Sequence, residues 1–123
     1  MKSLLAVAIA AAALAPAAYA DCTYPPAPSQ IPDGSTATLK QMIAGMKTVG
    51  HYNHQMEGYL SCIKLERDSA IGKPGAKLTK QQTQELEAIE IQKHNAAVDQ
   101  LHAVANRFNA QVKIFKARGK KSG

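Results

Sequence analysis

The chain of 123 residues is poor in several features that mark common functional classes. No catalytic, cofactor-binding or nucleotide-binding motif stands out, so the sequence predicts neither an enzyme nor a cofactor. Beyond the first twenty residues no stretch is apolar enough to span a bilayer, so no transmembrane segment is predicted there. Aromatic residues make up 5% of the sequence, and only Phe108 and Phe115 interleave with the basic residues near the C-terminus. That pattern disfavours nucleic acid as a partner.

The first twenty residues have the features of a secretory signal peptide. A lysine supplies the positive n-region, residues 4–14 form an alanine-rich apolar run, and residues 18–20 read Ala-Tyr-Ala. The alternative is a membrane anchor, but the apolar run is short and is broken at Pro16. We therefore expect cleavage between Ala20 and Asp21 and a periplasmic or secreted location.

Export changes the interpretation of the two cysteines. In an oxidising compartment, Cys22 and Cys62 are expected to form a disulfide rather than a metal pair or a nucleophile. Residues 21–35 contain four prolines and a glycine, which forbid a helix and favour extended backbone. The extended path from Cys22 to Ser35 and the helical path from Ser35 to Cys62 are each roughly 40 Å long. The segment is therefore expected to double back as a strap; the alternative is a tail with a free or intermolecular cysteine.

Two long helices are predicted after the strap. The first covers 36–71, the turn at 72–78 contains Gly-Lys-Pro-Gly, and the second helix covers 79–117 ahead of a basic tail at 119–123. The predicted fold class is all-α: a long antiparallel two-helix hairpin, 36–118, with an extended Pro-rich N-terminal strap disulfide-linked to the first helix. Capping boxes are expected at both helix starts, from Thr38 with Gln41 and from Thr79 with Gln82.

Apolar residues recur at helical spacing in both helices and predict the seam along which they pack. The strap is expected on another face of the first helix, over His51, Gln55 and Tyr59, with Gly58 permitting close approach. Apolar residues at the edges of the stripes are left to pack the strap or a second copy, which makes a homodimer one predicted assembly. The predicted seam consists of Leu39, Met42, Met46, Val49, Met56, Leu60 and Ile63, interrupted by Asn53, and of Leu86, Ala97, Leu101, Val104, Ala105, Phe108, Val112 and Phe115.

Three polar residues fall on the predicted seam. Glu90 and His94 are four residues apart on the second helix, and a hairpin folded about 73–75 places Asn53 near His94. We expect Asn53, Glu90 and His94 to form a partly buried cluster that fixes the register of the two helices. The alternative is a catalytic acid and base, but no nucleophile or pocket accompanies them.

One histidine pair has the spacing of a chelating helical pair. His51 and His54 are three residues apart on the polar side of the first helix. Nothing nearby completes the site, because Met46 and Met56, which would suit copper, lie on the seam. No metal is predicted, and His51 and His54 are the candidate ligands under the alternative of a copper- or zinc-binding protein.

The charge of the chain is uneven. After Asp99 there is no acidic residue, whereas six lysines and arginines follow. Basic residues in a final helical turn stabilise the helix dipole. The alternative is weak contact between the basic C-terminus and a polyanion such as an acidic lipid headgroup.

Two resemblances to known families are carried by short motifs. Residues 36–38, 59–62 (Tyr-Leu-Ser-Cys), 94–99 (His-Asn-Ala-Ala-Val-Asp) and 108–112 (Phe-Asn-Ala-Gln-Val) resemble uncharacterised short exported proteins of Gram-negative bacteria, and this resemblance implies no activity. Residues 78–82, Leu-Thr-Lys-Gln-Gln, resemble the LTxxQ motif of the small helical envelope-stress chaperones of the periplasm, which form dimeric cradles that hold unfolded clients. Those chaperones carry the motif twice, whereas this chain carries it once, and the paired cysteines are a further departure.

The sequence thus predicts a non-enzymatic exported helical protein of the bacterial envelope that acts by binding or assembly. Its expected partner is an unidentified protein or a second copy of the chain. One alternative is a chaperone-like protein that holds unfolded clients without ATP. Another is a metal-binding protein that uses its histidines.

Overall fold

A computed structural model describes residues 22–121. It contains two α-helices, α1 at Leu39–Gly72 and α2 at Lys80–Lys121, and the described residues contain no strand. The two helices pack along each other as a hairpin, which confirms the predicted all-α class. The predicted signal peptide and its cleavage site at Ala20/Asp21 lie outside the described residues.

The start of α1 is fixed by a capping box. The Thr38 hydroxyl accepts a hydrogen bond from the Gln41 N–H at 3.2 Å, and the Gln41 side-chain oxygen accepts one from the Thr38 N–H at 2.8 Å. The helix therefore begins at Leu39 rather than at residue 36. The residues just before it form a turn instead, in which the Thr36 N–H donates to the Asp33 carbonyl at 3.1 Å.

The turn between the helices also has a local cause. Lys73, after the end of α1, adopts extended backbone as expected before Pro74, and Gly75 has a φ of 84°, which suits glycine. A second capping box starts α2, because the Thr79 and Gln82 side chains each accept the other residue's N–H, at 3.1 and 2.9 Å. At its other end α2 runs past the predicted stop at 117, through a glycine, to Lys121.

The buried face of α1 is rotated from the predicted one. Leu39 and Met46 were expected on the seam but are 62% and 56% exposed, whereas Gly45, Tyr52 and Tyr59 are buried. Both rows of residues obey the same 3-4 spacing, so periodicity alone does not choose between them. The full buried row is Met42, Gly45, Val49, Tyr52, Met56, Tyr59 and Ile63.

The apolar stripe of α2 lies where the sequence places it. Ala97, Val104 and Phe108 are buried in the core. Leu101, Val112 and Phe115 are half-buried and pack against the same core, and Leu86 and Ala105 are half-buried as well.

Residues 22–37, here called the strap, run along the hairpin from the side of α1 to α2. At its N-terminal end, the strap lines a cavity together with Gln55, Gly58, Tyr59 and Cys62 of α1. One end is joined to α1 by the Cys22–Cys62 disulfide, with Cα atoms 5.7 Å apart, which confirms the predicted pairing. The other end is held by α2, where the Gln111 side-chain oxygen accepts the Gly34 N–H at 2.8 Å. Arg118 also donates to the Ser35 and Ala37 carbonyls at 2.8 and 2.6 Å. The strap therefore bridges both helices rather than covering the back of the first helix alone.

The position of the strap explains the rotated face of α1. Pro32 packs over Gly45, where an added Cβ would lie 2.7 Å from Pro32 Cδ and 3.1 Å from Phe108 Cε2. Glycine is needed at this position because three elements meet there. The expected close approach at Gly58 is wrong, because no atom lies within 4 Å of a Cβ built at that residue.

We expect Gly45→Ala to destabilise the protein by about 1–3 kcal/mol, because the added methyl group overlaps the strap and Phe108. Gly50→Ala and Gly58→Ala are matched controls within the same helix, since nothing lies within 4 Å of their added Cβ atoms. They should stabilise the protein by up to ~1 kcal/mol through helix propensity. Urea unfolding followed by circular dichroism measures all three, and equal effects at the three glycines would contradict the packing described here.

We expect Cys22→Ser with Cys62→Ser to lower the free energy of unfolding by about 4 kcal/mol, the chain-entropy value for the 40-residue separation that the disulfide closes. The oxidised protein in the presence and absence of reductant provides an independent comparison in the same urea assay. An unchanged free energy in both experiments would show that the strap is held by its noncovalent contacts alone.

Candidate functional site

The three polar residues predicted for the seam lie in different environments. Asn53 is half-buried, His94 is exposed, and the Glu90 carboxylate lies 3.1 Å from Nη1 of Arg67 on the other helix. The register of the two helices explains why these residues do not form one cluster. The turn extends to residue 79, and this length places Arg67 opposite Glu90. That pairing is shifted by several residues from the one that places Asn53 opposite His94.

Arg67 is the centre of the polar contacts at the turn end of the hairpin. Besides Glu90, it binds the Asp68 carboxylate through Nη2 at 2.7 Å and through Nε at 3.1 Å. The hydrogen bond with Asp68 raises the pKa of Arg67, and the nearby carboxylates of Asp68 and Glu90 raise it further. A second ion pair joins Lys93 of α2 to Glu66 of α1 at 3.8 Å. These opposite charges pair across the hairpin, so the arrangement cross-links the two helices.

An apolar groove opens beside these ion pairs. It has a volume of about 230 Å³, and Ile89 in it is 48% exposed. The groove lies beyond the disulfide end of the strap along α1, because Cys22 is bonded to Cys62 and the groove includes the next residue, Ile63. We call this region the open groove; its apolar floor is Ile63, Ala70, Leu86 and Ile89, and its charged rim is Glu66, Arg67, Glu90 and Lys93.

The open groove was not predicted from the sequence, although the sequence contained one signal for it. The strap predicted for residues 21–35 runs back along α1 only as far as its bond to Cys62, so these residues do not cover the part of α1 that follows residue 62. Apolar residues of both helices beyond that point were the available signal. Arg67 was missed for a different reason, since its partner depends on the register of the hairpin.

The histidines are arranged as surface residues. His51 and His54 are both exposed, and His54 Nδ1 lies 3.8 Å from the Glu57 carboxylate on the same helix. Between residues 22 and 121 no group of three or more His, Cys, Asp or Glu side chains is placed to hold a metal ion.

Three tyrosines surround the disulfide end of the strap. The Tyr24 ring meets the edge of the Tyr59 ring, with centroids 5.0 Å apart. Tyr52 is 2% exposed, and its buried hydroxyl has no hydrogen-bond partner among the described residues. Burial raises the pKa of Tyr24, Tyr52 and Tyr59 above the ordinary value of 10.0, because it disfavours the phenolate.

In the part of the chain that the structure describes, neither helix is long and apolar enough to cross a membrane. No family model matches the chain, and no curated protein or solved structure matches it significantly.

We expect Tyr52→Phe to raise the free energy of unfolding at neutral pH by about 1 kcal/mol, because it removes a buried hydroxyl without a partner. Tyr59→Phe is the control and should change the free energy by less than ~0.5 kcal/mol.

The tyrosine pKa values also predict that stability falls as the pH rises above 10.0, since the unfolded state loses its protons first. The fall should be shallower in Tyr52→Phe when urea unfolding is measured across this pH range. A decrease in neutral stability of the variant would contradict the absence of a partner for the hydroxyl.

Proposed function

We propose that the protein acts without catalysis, by binding an extended apolar segment of another protein in the open groove. One observation carries the proposal: the two helices already hold an extended segment, the strap, against both of their surfaces at Pro32 and Gly34. Pro32 of the strap packs against Gly45 of α1 and Phe108 of α2, and the open groove from Ile63 onward lies between the same two helices. An incoming segment would therefore lie against both helices, as the strap does at Pro32.

The chemistry of the open groove favours apolar side chains over charged ones. Its floor is aliphatic, and the charges on its rim are engaged with each other in the Arg67–Glu90 and Glu66–Lys93 pairs. A volume of about 230 Å³ is smaller than the ~300–1,000 Å³ of small-molecule pockets. The space suits one or two aliphatic side chains of a peptide.

The expected affinity is low. Burial of one or two aliphatic side chains contributes roughly 1.5–3 kcal/mol each, and the loss of chain freedom on binding opposes it. A segment bound with such a small free energy dissociates rapidly. A protein that holds segments weakly is suited to transient contacts with its partner.

The proposed setting is the bacterial envelope. The Cys22–Cys62 disulfide is stable in an oxidising compartment, and the first twenty residues have the pattern of a cleaved signal peptide. Both features support a periplasmic or secreted protein.

A chaperone-like holder of unfolded clients is the second candidate. The observation in its favour is the open groove itself, whose aliphatic floor lacks the unpaired polar groups that select one particular partner. The LTxxQ-like residues contribute less to this candidate, since Thr79 and Gln82 are engaged in the capping box of α2.

We expect Ile89→Gln to weaken binding of an unfolded protein at least ~5-fold, because it removes apolar surface from the floor of the groove. The probe is reduced and carboxymethylated α-lactalbumin, which stays unfolded without reductant and so leaves the Cys22–Cys62 bond intact. Binding is measured by fluorescence anisotropy of the labelled probe, and suppression of aggregation of a heat-denatured client provides a second readout.

Ile91→Gln is the matched control, since Ile91 is 55% exposed and lies two residues away, on the opposite side of α2. It should bind the probe as the unmodified protein does. Equal losses in the two variants, or no binding by the unmodified protein, would contradict the assignment of the groove. Binding without suppression of aggregation would favour a specific partner over a chaperone.

A further inference from the structure

The side of the hairpin opposite the strap carries a second surface. At about 100° per residue, Leu39, Ile43 and Met46 share one side of α1, roughly 100° from its buried row. They are 62%, 41% and 56% exposed. Gly45, the member of the buried row that meets the strap, lies more than 100° from the centre of this group.

Lysines flank this apolar strip on both helices. On α1, Lys40 and Lys47 lie on the outer edge of the strip, and on α2, Lys113 and Lys116 lie on the side away from Gln111 and Arg118, which hold the strap. All four lysines are exposed. We call this surface, Leu39, Ile43 and Met46 with the four lysines, the lysine-flanked face.

The charges of this end of the hairpin are almost all basic, in contrast to those at the turn. Residues 22–56 and 100–120 contain seven lysines and arginines but one acidic residue, Asp33. Asp33 belongs to the strap, on the opposite side, where hydrogen bonds from Ser35 lower the pKa of its carboxyl. In the described part of the chain, no carboxylate lies within ion-pair distance of the lysines of this face, whereas Lys93 and Arg67 near the turn are paired.

We propose that the lysine-flanked face binds the surface of a membrane that contains anionic phospholipids. Exposed apolar side chains between two rows of lysines have the arrangement of elements that lie in a membrane interface. The apolar strip would enter the boundary between headgroups and acyl chains, and the long lysine side chains would reach the phosphates on either side.

The charge distribution favours an anionic membrane surface over a second copy of the chain as the partner of this face. Two copies that met on this face would bring lysines against lysines, which is unfavourable. Three exposed apolar side chains also fall far short of the roughly 20–30 residues per side of a stable protein interface. An anionic lipid surface supplies both the opposite charge and an apolar layer.

The test uses the oxidised protein and sucrose-loaded vesicles of phosphatidylcholine, with and without phosphatidylglycerol. We expect binding to the vesicles with phosphatidylglycerol, weaker binding at higher salt, and little binding to phosphatidylcholine alone. Lys113→Gln with Lys116→Gln should lower the partition coefficient roughly 30-fold. Leu39→Gln with Met46→Gln should lower it as well, because the apolar strip is removed.

Lys73→Gln with Lys77→Gln is the matched control, since it removes the same charge from exposed residues at the turn. It should retain most of the binding. Four outcomes would overturn the proposal. The first is equal binding to the two kinds of vesicle, and the second is an equal loss of binding in the two double lysine variants. The third is full binding by Leu39→Gln with Met46→Gln, and the fourth is a dimer in sedimentation equilibrium that Leu39→Gln with Met46→Gln dissociates. The third would indicate a soluble polyanion, and the fourth would assign the face to a second copy. Thermal unfolding of each variant verifies that it is folded.

Discussion

The hairpin depends on the contact between the strap and the groove. Two helices can bury one shared seam, and a chain of this size has little stability beyond the cost of ordering its backbone. The strap supplies a third packing element, and it is held at both ends, by the Cys22–Cys62 disulfide and by the Gln111 and Arg118 hydrogen bonds. The strap packs on the buried row of α1 at Gly45, through Pro32, and the row also packs against Ala97, Val104 and Phe108 of α2. Without the strap, Gly45 would lose the cover that Pro32 provides.

The length of the strap also divides the molecule into two different ends. Where the strap lies, its apolar residues pack against the core, and hydrogen bonds from Arg118 and to Gln111 join its backbone to α2. Beyond Cys62 the groove is empty of the described chain, and ion pairs between Arg67 and Glu90 and between Glu66 and Lys93 connect the helices instead. The acidic residues are concentrated toward the turn, which leaves the opposite end strongly basic. The disulfide at residue 62 thus marks the boundary between the strapped part of the hairpin and the open groove.

The parts of the structure that the sequence predicts correctly are those determined locally. The capping boxes at Thr38 and Thr79 depend on residues three apart, and the disulfide was predicted from an expected oxidising compartment and from a comparison of two chain lengths. The buried face of α1 was not predictable in the same way, because two rows have the same 3-4 spacing. The row with more aliphatic residues contains Leu39 and Met46, and the row that is buried contains a glycine and two tyrosines that the strap requires. The predicted pairing of Asn53 with His94 was wrong for a related reason. The length of the turn determines which residues of α1 lie opposite each residue of α2, and it places Arg67 opposite Glu90.

The two proposed surfaces are separated along the hairpin and across it. The lysine-flanked face is centred near residue 43 of α1 and the open groove near residue 67, and 24 residues of helix span roughly 36 Å. They also lie on opposite sides, because the groove shares the side of the strap. Occupation of one surface therefore leaves the other accessible. A molecule bound to a membrane through its basic end would hold the open groove away from the lipid, where an extended protein segment can reach it. The long, thin shape of the hairpin, which limits how much core it can bury, is the feature that permits this separation.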